Sequence, residues 1–280
     1  MPAAPLRSFV QADLHTHTLH SDGVLTPTAL VERAQARGLA ALAVTDHDTV
    51  SGVAEAQAAG ARLGVDVLTG VELSAEAGGR EVHLLGYAFD PTEAALQTHL
   101  ARVRQDREQR AEAIVERLRT QGLSLTMDDV RRQADGAAIG RPHVAAVLVE
   151  QGAVATRSEA FDHYLGFHGT AFVAKTLIPA AEAIALVHAA GGLTVLAHPG
   201  HWTPGLVVQS LIRDGLDGLE IIHPSHDASL TAYYRQLARD FGLVATGGSD
   251  YHGFRPGDEE HLGRYGLPLA ALERLHAAIS

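Results

Sequence analysis

The chain has 280 residues, of which 46% are hydrophobic, and it carries 22 basic and 33 acidic side chains, giving a net charge of −11. This length and hydrophobic content predict one large α/β domain, or a domain with a substantial insert. The negative charge argues against broad electrostatic attraction to nucleic acid or to a membrane, so we expect neither double-stranded nucleic acid nor a membrane among its partners.

Cysteine is absent, whereas histidine occurs 17 times. The absence of cysteine excludes disulfides and thiolate-ligated zinc or iron–sulfur sites. The sequence has no apolar run long enough for a membrane span and no signal-like N-terminal segment, so we expect a cytoplasmic protein. Histidine with carboxylates, and without thiolates, suits Mn, Zn or Fe rather than soft metals.

Short apolar runs alternate with helical patterns along most of the chain, which is typical of consecutive βα units. The predicted strands are 9–14, 41–45, 66–72, 81–87, 193–197, 217–222 and 243–247. The helices predicted between and after them are 27–37, 52–63, 179–190, 204–213, 227–241 and 268–278. This alternation predicts a parallel α/β barrel.

The first predicted strand leads into the sequence DLHTHTLHSDG. Alternation along a strand sends His15 and His17 to the same face, and His20 and Asp22 follow in the loop. Two imidazoles and a carboxylate side by side make poor core, because a packed interior needs apolar groups or fully paired polar ones. The segment therefore predicts a metal site.

Histidines and carboxylates also follow, or lie within, each of the remaining six predicted strands. They are His47, Glu72, His83, His198, His223, His226, Asp250 and His252. In a parallel barrel the carboxyl ends of the strands share one face, and active sites are built there. The pattern predicts a metal-dependent active site on that face.

The segment 91–175 breaks the alternation. Helices are predicted at 101–118, 126–133, 141–151 and 157–164. We interpret 91–175 as a helical insertion domain that caps the mouth of a barrel formed by 1–90 and 176–280. The arginines of 102–119 alternate with glutamates at helical pair spacing, which predicts an exposed, salt-bridged face.

The sequence GRPH lies at a predicted helix start within this insert. A helix N-terminus with Arg141 and His143 predicts contact with a phosphate, because arginine offers a fork that matches phosphate oxygens. Capping of the helix and pairing with an acid is the alternative interpretation.

The segments DLHTHTLHSDG, TDHDT, GVELS, VHLLGY, LAHPG, EIIHPSH and GGSDYHG, in this order, resemble the PHP family of metal-dependent phosphoesterases. The resemblance covers nearly the whole chain. It implies a distorted (βα)7 barrel that binds two or three divalent metal ions. Mn is the expected metal, with Zn and Fe as alternatives. The GRPHVA and FDHYLG segments resemble the subgroup that removes phosphate from nucleoside 3′,5′-bisphosphates and trims RNA 5′ ends.

The resemblance also implies roles for individual residues. His15, His17 and Asp250 would bind a first metal, with Glu72 bridging to a second that His83 and His198 complete, and Asp22, His47 and His252 would hold a third. Glu72, His198 and Asp250 would form the catalytic centre, and His20 is a candidate proton donor to the leaving oxygen. Substrate contacts are expected at Arg141, His143, His201, His223 and His226, although His223 and His226 could equally be hydrogen-bonded loop histidines.

Two positions depart from the subgroup's pattern. Gly169 stands where that pattern has lysine, and His201 stands where it has arginine. Lys175 and His168 are the candidates to replace the lysine. Both departures concern expected substrate contacts, so they leave the chemistry intact and the substrate open.

The sequence thus predicts that a metal-activated hydroxide hydrolyses phosphate esters of small nucleotides or the 5′ ends of short RNA. A histidinol-phosphate phosphatase and a non-catalytic metal-binding module of a polymerase assembly are the alternatives. The expected partner is a small nucleotide or a short RNA end, with no obligate protein partner evident. 

Overall fold

The computed structural model describes residues 12–268, 271 and 272. The elements up to the insert are β1 (Ala12–Thr16), α1 (Pro27–Ala36), β2 (Ala41–Val44), α2 (Val53–Leu63), β3 (Asp66–Ala77) and β4 (Arg80–Tyr87). Then come α3 (Ala94–Thr120), α4 (Met127–Ala134), α5 (Arg141–Glu150), α6 (Arg157–Ala160) and a π-helical turn (Phe161–Leu165). The remainder contains β5 (Ile178–Pro179), α7 (Ala180–Ala189), β6 (Leu193–Leu196), α8 (Gly205–Arg213), β7 (Gly218–Ile222), α9 (Ala228–Phe241), β8 (Val244–Gly247) and α10 (Asp258–His261).

Most predicted elements are present with shifted ends. The strand predicted at 66–72 continues to Ala77, and the helix predicted at 101–118 begins already at Ala94. Residues 9–11 of the first predicted strand, and most of the predicted helix at 268–278, lie outside the described residues. No described helix combines the length and apolar character needed to cross a bilayer.

The strands form one sheet in the order β1-β2-β3-β4-β6-β7-β8, with the short β5 paired to the end of β3. The segment after β8 returns to β1: the Asp250 N–H donates to the His15 carbonyl and the His17 N–H donates to the Tyr251 carbonyl, both at 2.9 Å. These bonds bring the two ends of the sheet together. The result is a nearly closed barrel of seven strands, which confirms the predicted fold class.

One strand does not run as predicted. β4 pairs antiparallel with both β3 and β6, whereas the other neighbouring pairs are parallel. β3 and β4 are joined through Gly78 and Gly79, whose φ angles of 61° and 77° lie in the left-handed region that glycine adopts without steric cost. Because β4 is reversed, its early residue His83 pairs with Ser74 and reaches the face where the parallel strands end.

Apolar packing divides the long helix α3 between two clusters. Its first turns place Leu96 and Leu100 in the cluster formed by β3, β4, α7 and α8. Further along, Ile114 and Leu118 pack with Leu148 and other residues of α4 and α5. α3 therefore connects the barrel to the helical segment, and the division of the chain at residue 91 stays a prediction.

A buried ion pair fastens α3 to the barrel. Arg107 hydrogen-bonds through Nε and Nη2 to Asp48, and the same carboxylate accepts the Ser74 N–H at 2.8 Å. Burial would raise the pKa of Asp48, but the Arg107 guanidinium and the Lys175 ammonium hold it well below its usual range. The Asp48 carboxylate thus joins α3 to β3 in its ionised form.

We expect Asp48→Ala to lower the free energy of unfolding by about 3–5 kcal/mol, because the Arg107 charge would stay buried without its partner. Glu108→Ala on the same helix removes a carboxylate that pairs with Arg131, where both side chains are more than 40% exposed. That control should lose about 1 kcal/mol or less. Urea unfolding followed by circular dichroism measures both, and similar losses for the two variants would refute a fastening role.

Candidate metal centre

Polar side chains from several strand ends converge on Glu72, whose carboxylate is completely buried. Five imidazoles each place a ring nitrogen 2.8–3.2 Å from one of its two oxygens. They belong to His15, His17, His47, His83 and His198. The strand ends thus meet as the sequence predicted, around one carboxylate.

Many of these polar atoms are buried and yet make no hydrogen bond. The unpartnered atoms include His15 Nε2, both ring nitrogens of His17, Asp22 Oδ1, His47 Nδ1, Glu72 Oε2 and His83 Nδ1. A buried polar group without a partner typically costs about 1–3 kcal/mol, so such a cluster is unfavourable on its own. Divalent cations would satisfy these nitrogen and oxygen donors together, and the donor set suits Mn, Zn or Fe. The residues present therefore fit divalent metal ions.

Three groups of side chains bring their donor atoms within 4.8 Å of one another. The groups are His15, His17, Glu72 and Asp250; His47, Glu72 and His83; and His17, Asp22, His47 and His252. The first group reproduces the predicted first site with its bridging carboxylate. In the second group His47 stands where the resemblance implied His198, which instead hydrogen-bonds to Glu72 Oε1 at 3.0 Å. The assignment of these nine residues as ligands stays a prediction.

Further carboxylates orient the side chains of the centre. Glu220 is completely buried; its Oε1 lies 3.0 Å from His15 Nδ1 and its Oε2 accepts the His198 N–H at 2.7 Å. The contact with Nδ1 turns Nε2 of His15 toward Glu72, as outer carboxylates commonly do for metal-binding histidines. Asp46 in turn accepts the hydroxyls of Thr18 and Ser21 and so holds the loop before Asp22.

The backbone is in the left-handed region at two positions of the centre. His198 has a φ of 27° and Asp250 a φ of 52°. Non-glycine residues rarely adopt this conformation, and they persist in it only where surrounding contacts hold them, often at functional sites. The His198 N–H is held by Glu220 and the Asp250 N–H by the His15 carbonyl. Strain here is compensated by contacts within the centre itself.

The two central carboxylates are kept ionised by their neighbours. Burial would raise the pKa of Glu72, but His47, His15 and His83 hold it well below its usual range. Burial likewise opposes ionisation of Asp250, and His252 and His15 reverse the effect. Negative charge is therefore available for cations at neutral pH.

Arg255 also contacts the centre, and the sequence analysis missed it. Its Nη1 donates to Asp250 Oδ2 at 2.8 Å and its Nη2 donates to His252 Nε2 at 2.9 Å. A lone arginine in a loop after the last strand carries no sequence signal of such a contact. Arg255 therefore brings positive charge next to the third group of donors.

A cleft of about 230 Å³ opens beside His47 and His83. Cationic side chains line it: Arg107, Arg110, Arg141, Lys175 and Arg255. The expected exposed, salt-bridged face of α3 is therefore wrong for Arg107 and Arg110. The pairing pattern could not show this, because Glu108 and Glu112 pair with Arg131 of α4 instead.

Arg110 and Arg141 have no carboxylate within 4.0 Å among the described residues. They donate instead to the carbonyls of Val173 and Leu165, at 2.9 and 3.1 Å. Burial, with Arg141 and Arg107 nearby, lowers the pKa of Arg110 to about 10. Glu81 and Asp22 also line the cleft, and Glu81 partly offsets the two positive charges. The phosphate contact predicted at Arg141 stays a prediction, and Arg110 is a second arginine beside it.

Lys175, rather than His168, lies in this cleft. Its Nζ is 2.8 Å from Glu81 Oε1 and 2.5 Å from Ser74 Oγ. Glu81 Oε1 also lies 3.3 Å from His83 Nε2. Lys175 therefore brings positive charge to the cleft and contacts a carboxylate that faces His83.

The structure defines the surroundings of two further predicted residues. His20 lines a second cavity, of about 400 Å³, that shares Asp22 with the cleft beside His47, and its role as a proton donor stays a prediction. His226 is buried, its Nε2 accepts the Gly200 N–H and its Nδ1 contacts the Ile221 carbonyl. Both ring nitrogens of His226 thus contact backbone, which favours the alternative of a hydrogen-bonded loop histidine over a substrate contact.

The remaining predicted substrate contacts stay predictions. His143 Nδ1 accepts the Gly140 N–H at 3.0 Å, which caps α5 as the alternative interpretation proposed. His223 Nε2 has no hydrogen-bond partner and lies 3.7 Å from Asp250 Oδ2. His201 is exposed, with Nε2 3.8 Å from Asp227.

Known proteins are similar to this chain over most of its length. A family model described as the PHP domain matches residues 13–106. A 5′-3′ exoribonuclease of Haemophilus influenzae is 38% identical over 250 residues, covering 86% of this chain and 89% of the relative. A 3′,5′-nucleoside bisphosphate phosphatase of Chromobacterium violaceum is 38% identical over 246 residues, 86% of either chain. A solved structure from Bifidobacterium adolescentis, assigned to the metal-dependent phosphoesterases, has a TM-score of 0.88 at 34% identity and covers 95% of both chains.

We expect Glu72→Gln to lower the number of Mn²⁺ ions bound per chain by at least one, because the carboxylate belongs to two of the three donor groups. Metal analysis after Mn²⁺ loading and dialysis measures this content. Glu76→Gln is the matched control, since Glu76 lies on the same strand and accepts the Gly79 N–H away from the centre. Equal metal content in the two variants, with unchanged circular dichroism, would rule out Glu72 as a shared ligand.

Proposed function

The chain belongs to the PHP family of metal-dependent phosphoesterases, and we propose that it removes the 3′-phosphate of nucleoside 3′,5′-bisphosphates and trims short 5′-phosphorylated RNA. The observation that carries this proposal is the pair Arg110 and Arg141, which stands without carboxylate partners in the cleft beside His47 and His83. One phosphate of the substrate would lie among the histidines and the other against the arginines.

Both reactions break the same bond. Water adds an oxygen to phosphorus, the bond between phosphorus and the 3′ oxygen breaks, and the 3′ oxygen leaves with a proton. From a bisphosphate this releases inorganic phosphate, whereas from RNA the phosphate stays on the next nucleotide. A single centre can therefore serve both substrates, and it matches the two activities named for the relatives.

The centre is proposed to hold two or three divalent ions, and Mn²⁺ is the metal that we expect. Such ions, when bound, supply a nucleophile from water at neutral pH and offset the charge on the phosphate. The chain's own residues orient the donors: Glu220 fixes His15, and Asp46 fixes the loop before Asp22. The buried Glu72 carboxylate lies between these donors and would contribute a ligand to more than one ion.

The arginine pair suits the second phosphate by shape as well as charge. A guanidinium offers two parallel donors to phosphate oxygens, and it does so best when its plane is fixed. Arg141 lies 5.5 Å from the Phe161 ring centroid and 5.9 Å from that of Phe172. These rings and the Leu165 carbonyl hold the side chain in place before substrate arrives.

The direct test is phosphate release, with Mn²⁺ added, from adenosine 3′,5′-bisphosphate, compared with histidinol phosphate and a 5′-phosphorylated RNA oligomer. We expect AMP and phosphate from the bisphosphate, and 5′-nucleotides from the oligomer. Turnover of histidinol phosphate alone would favour the alternative phosphatase. Release from none of the three would refute the proposal.

We expect Arg110→Met to lower kcat/KM for adenosine 3′,5′-bisphosphate by about ten- to a hundred-fold, the range of one charge-assisted hydrogen bond. The same variant should change turnover of 3′-AMP, which lacks the 5′-phosphate, much less. Arg102→Met is the control, because Arg102 is an exposed arginine of the same helix and does not line the cleft. A parallel loss on both substrates would show that Arg110 does not recognise the second phosphate.

A further inference from the structure

Trp202 is the chain's single tryptophan, and 57% of it is exposed to solvent. It forms a wall of a cavity of about 280 Å³ that His83 and His198 also line. Other aromatic side chains are also exposed, but Trp202 lines a cavity beside the candidate metal centre, where its ring could stack on a ligand. Neither the centre nor the cationic cleft uses this ring.

The indole is held in place by the loop that carries it. Gly200 has a φ of 55°, and a Cβ at this position would lie 2.5 Å from the Trp202 ring, so only glycine lets the ring rest on the backbone. The Tyr234 hydroxyl donates to the Gly200 carbonyl at 2.8 Å, and the Gly200 N–H donates to His226. Arg80 Nη1 donates to the Trp202 carbonyl at 3.0 Å. The ring is therefore fixed before any ligand binds, which reduces the entropy lost on binding.

The position of this cavity indicates which part of a substrate it would take. Glu81 and His83 line both this cavity and the cationic cleft, so they stand between the two. Of these two spaces, Arg110 and Arg141 line the cleft and not the Trp202 cavity. A substrate with its terminal phosphate at the arginines and its scissile phosphate among the histidines would continue past His83 toward Trp202.

We propose that Trp202 stacks on the base of the nucleotide that follows the scissile phosphate in an RNA substrate. This inference rests on the proposed function. Base stacking on an aromatic side chain tolerates any base, as the trimming of successive nucleotides requires. A bisphosphate ends at the scissile phosphate and has no such nucleotide, so Trp202 distinguishes the two substrate classes.

The other cavity next to the centre suits this nucleotide less well. It has about 400 Å³ and lies beside His20 and Asp22. None of its lining residues is Phe, Tyr or Trp, and its aromatic rings are the imidazoles of His20 and His143. An imidazole offers a base less stacking surface than the indole of Trp202.

The kinetic test compares Trp202→Ala with wild type on two substrates in Mn²⁺, a 5′-phosphorylated RNA oligomer and adenosine 3′,5′-bisphosphate. We expect the ratio of kcat/KM for the oligomer to that for the bisphosphate to fall about five- to a hundred-fold, the range of one base–aromatic stack. Trp202→Phe should restore most of the ratio. Phe241→Ala, which removes another exposed aromatic residue that lines none of these cavities, should leave it unchanged.

The second test uses the fluorescence of Trp202, which as the sole tryptophan reports only on this position. The Mn²⁺-loaded wild-type protein is titrated with a 5′-phosphorylated oligomer whose first linkage carries a methylene group in place of the bridging 3′ oxygen. We expect saturable quenching by this oligomer and little by AMP.

The inference is overturned if the oligomer causes no quenching, if AMP quenches equally, or if Trp202→Ala leaves the substrate ratio unchanged. An equal loss on oligomer and bisphosphate would also overturn it, because the ring would then contact the terminal nucleotide. These outcomes are separate from failure of the proposed function, in which wild-type protein would cleave neither substrate.

Discussion

The structure depends on one constraint: the Glu72 carboxylate is completely buried, and five imidazoles each place a ring nitrogen 2.8–3.2 Å from one of its oxygens. Neighbouring imidazole nitrogens cannot all donate to two oxygens, and several are left without hydrogen bonds. Such an arrangement is unfavourable in a core without ions, so it is explained by binding rather than by stability. The nearly closed barrel supplies the rigid strand ends that hold these donors together.

Different secondary-structure elements supply the different kinds of side chain around this centre. The barrel strands bring carboxylates and imidazoles, whereas α3 and α5 of the helical segment bring Arg110 and Arg141. Divalent ions at the first set and guanidinium groups at the second would give each phosphate of the proposed substrate a cationic contact, with Asp22 and Glu81 also on the wall of the cleft. Because α3 also packs its first turns into the barrel, the arginines are placed at a fixed distance from the centre. In the proposed function, recognition of the second phosphate therefore depends on α3, which packs against the barrel at one end and carries Arg110 further along.

The candidate ligands could be predicted from sequence because the carboxyl ends of strands meet wherever a barrel forms, and His15 or Asp250 needs no further information to be placed. The direction of β4 could not be predicted, since the period of a strand is the same in both directions, yet that reversal brings His83 to the centre. Arg110 was missed for a different reason. Its surroundings are set by packing between helices, and local charge spacing predicted an exposed face. Trp202 was missed because only the backbone at Gly200 fixes where its ring lies.

The cleft also shows how a missing charge can be replaced from another position. Gly169 lacks the lysine that the resembling subgroup has, and Lys175 lies six residues further along the chain. Its ammonium reaches the cleft but is bound to Glu81 and Ser74. Burial lowers the pKa of Lys175, and Arg107 nearby adds to this, while Asp48 and Glu81 oppose it. Lys175 therefore contributes positive potential and holds Glu81 against His83, and Arg110 and Arg141 are the side chains proposed to donate to phosphate. Replacement of the lysine missing at Gly169 by Lys175 stays a prediction, which the position of Lys175 in the cleft supports.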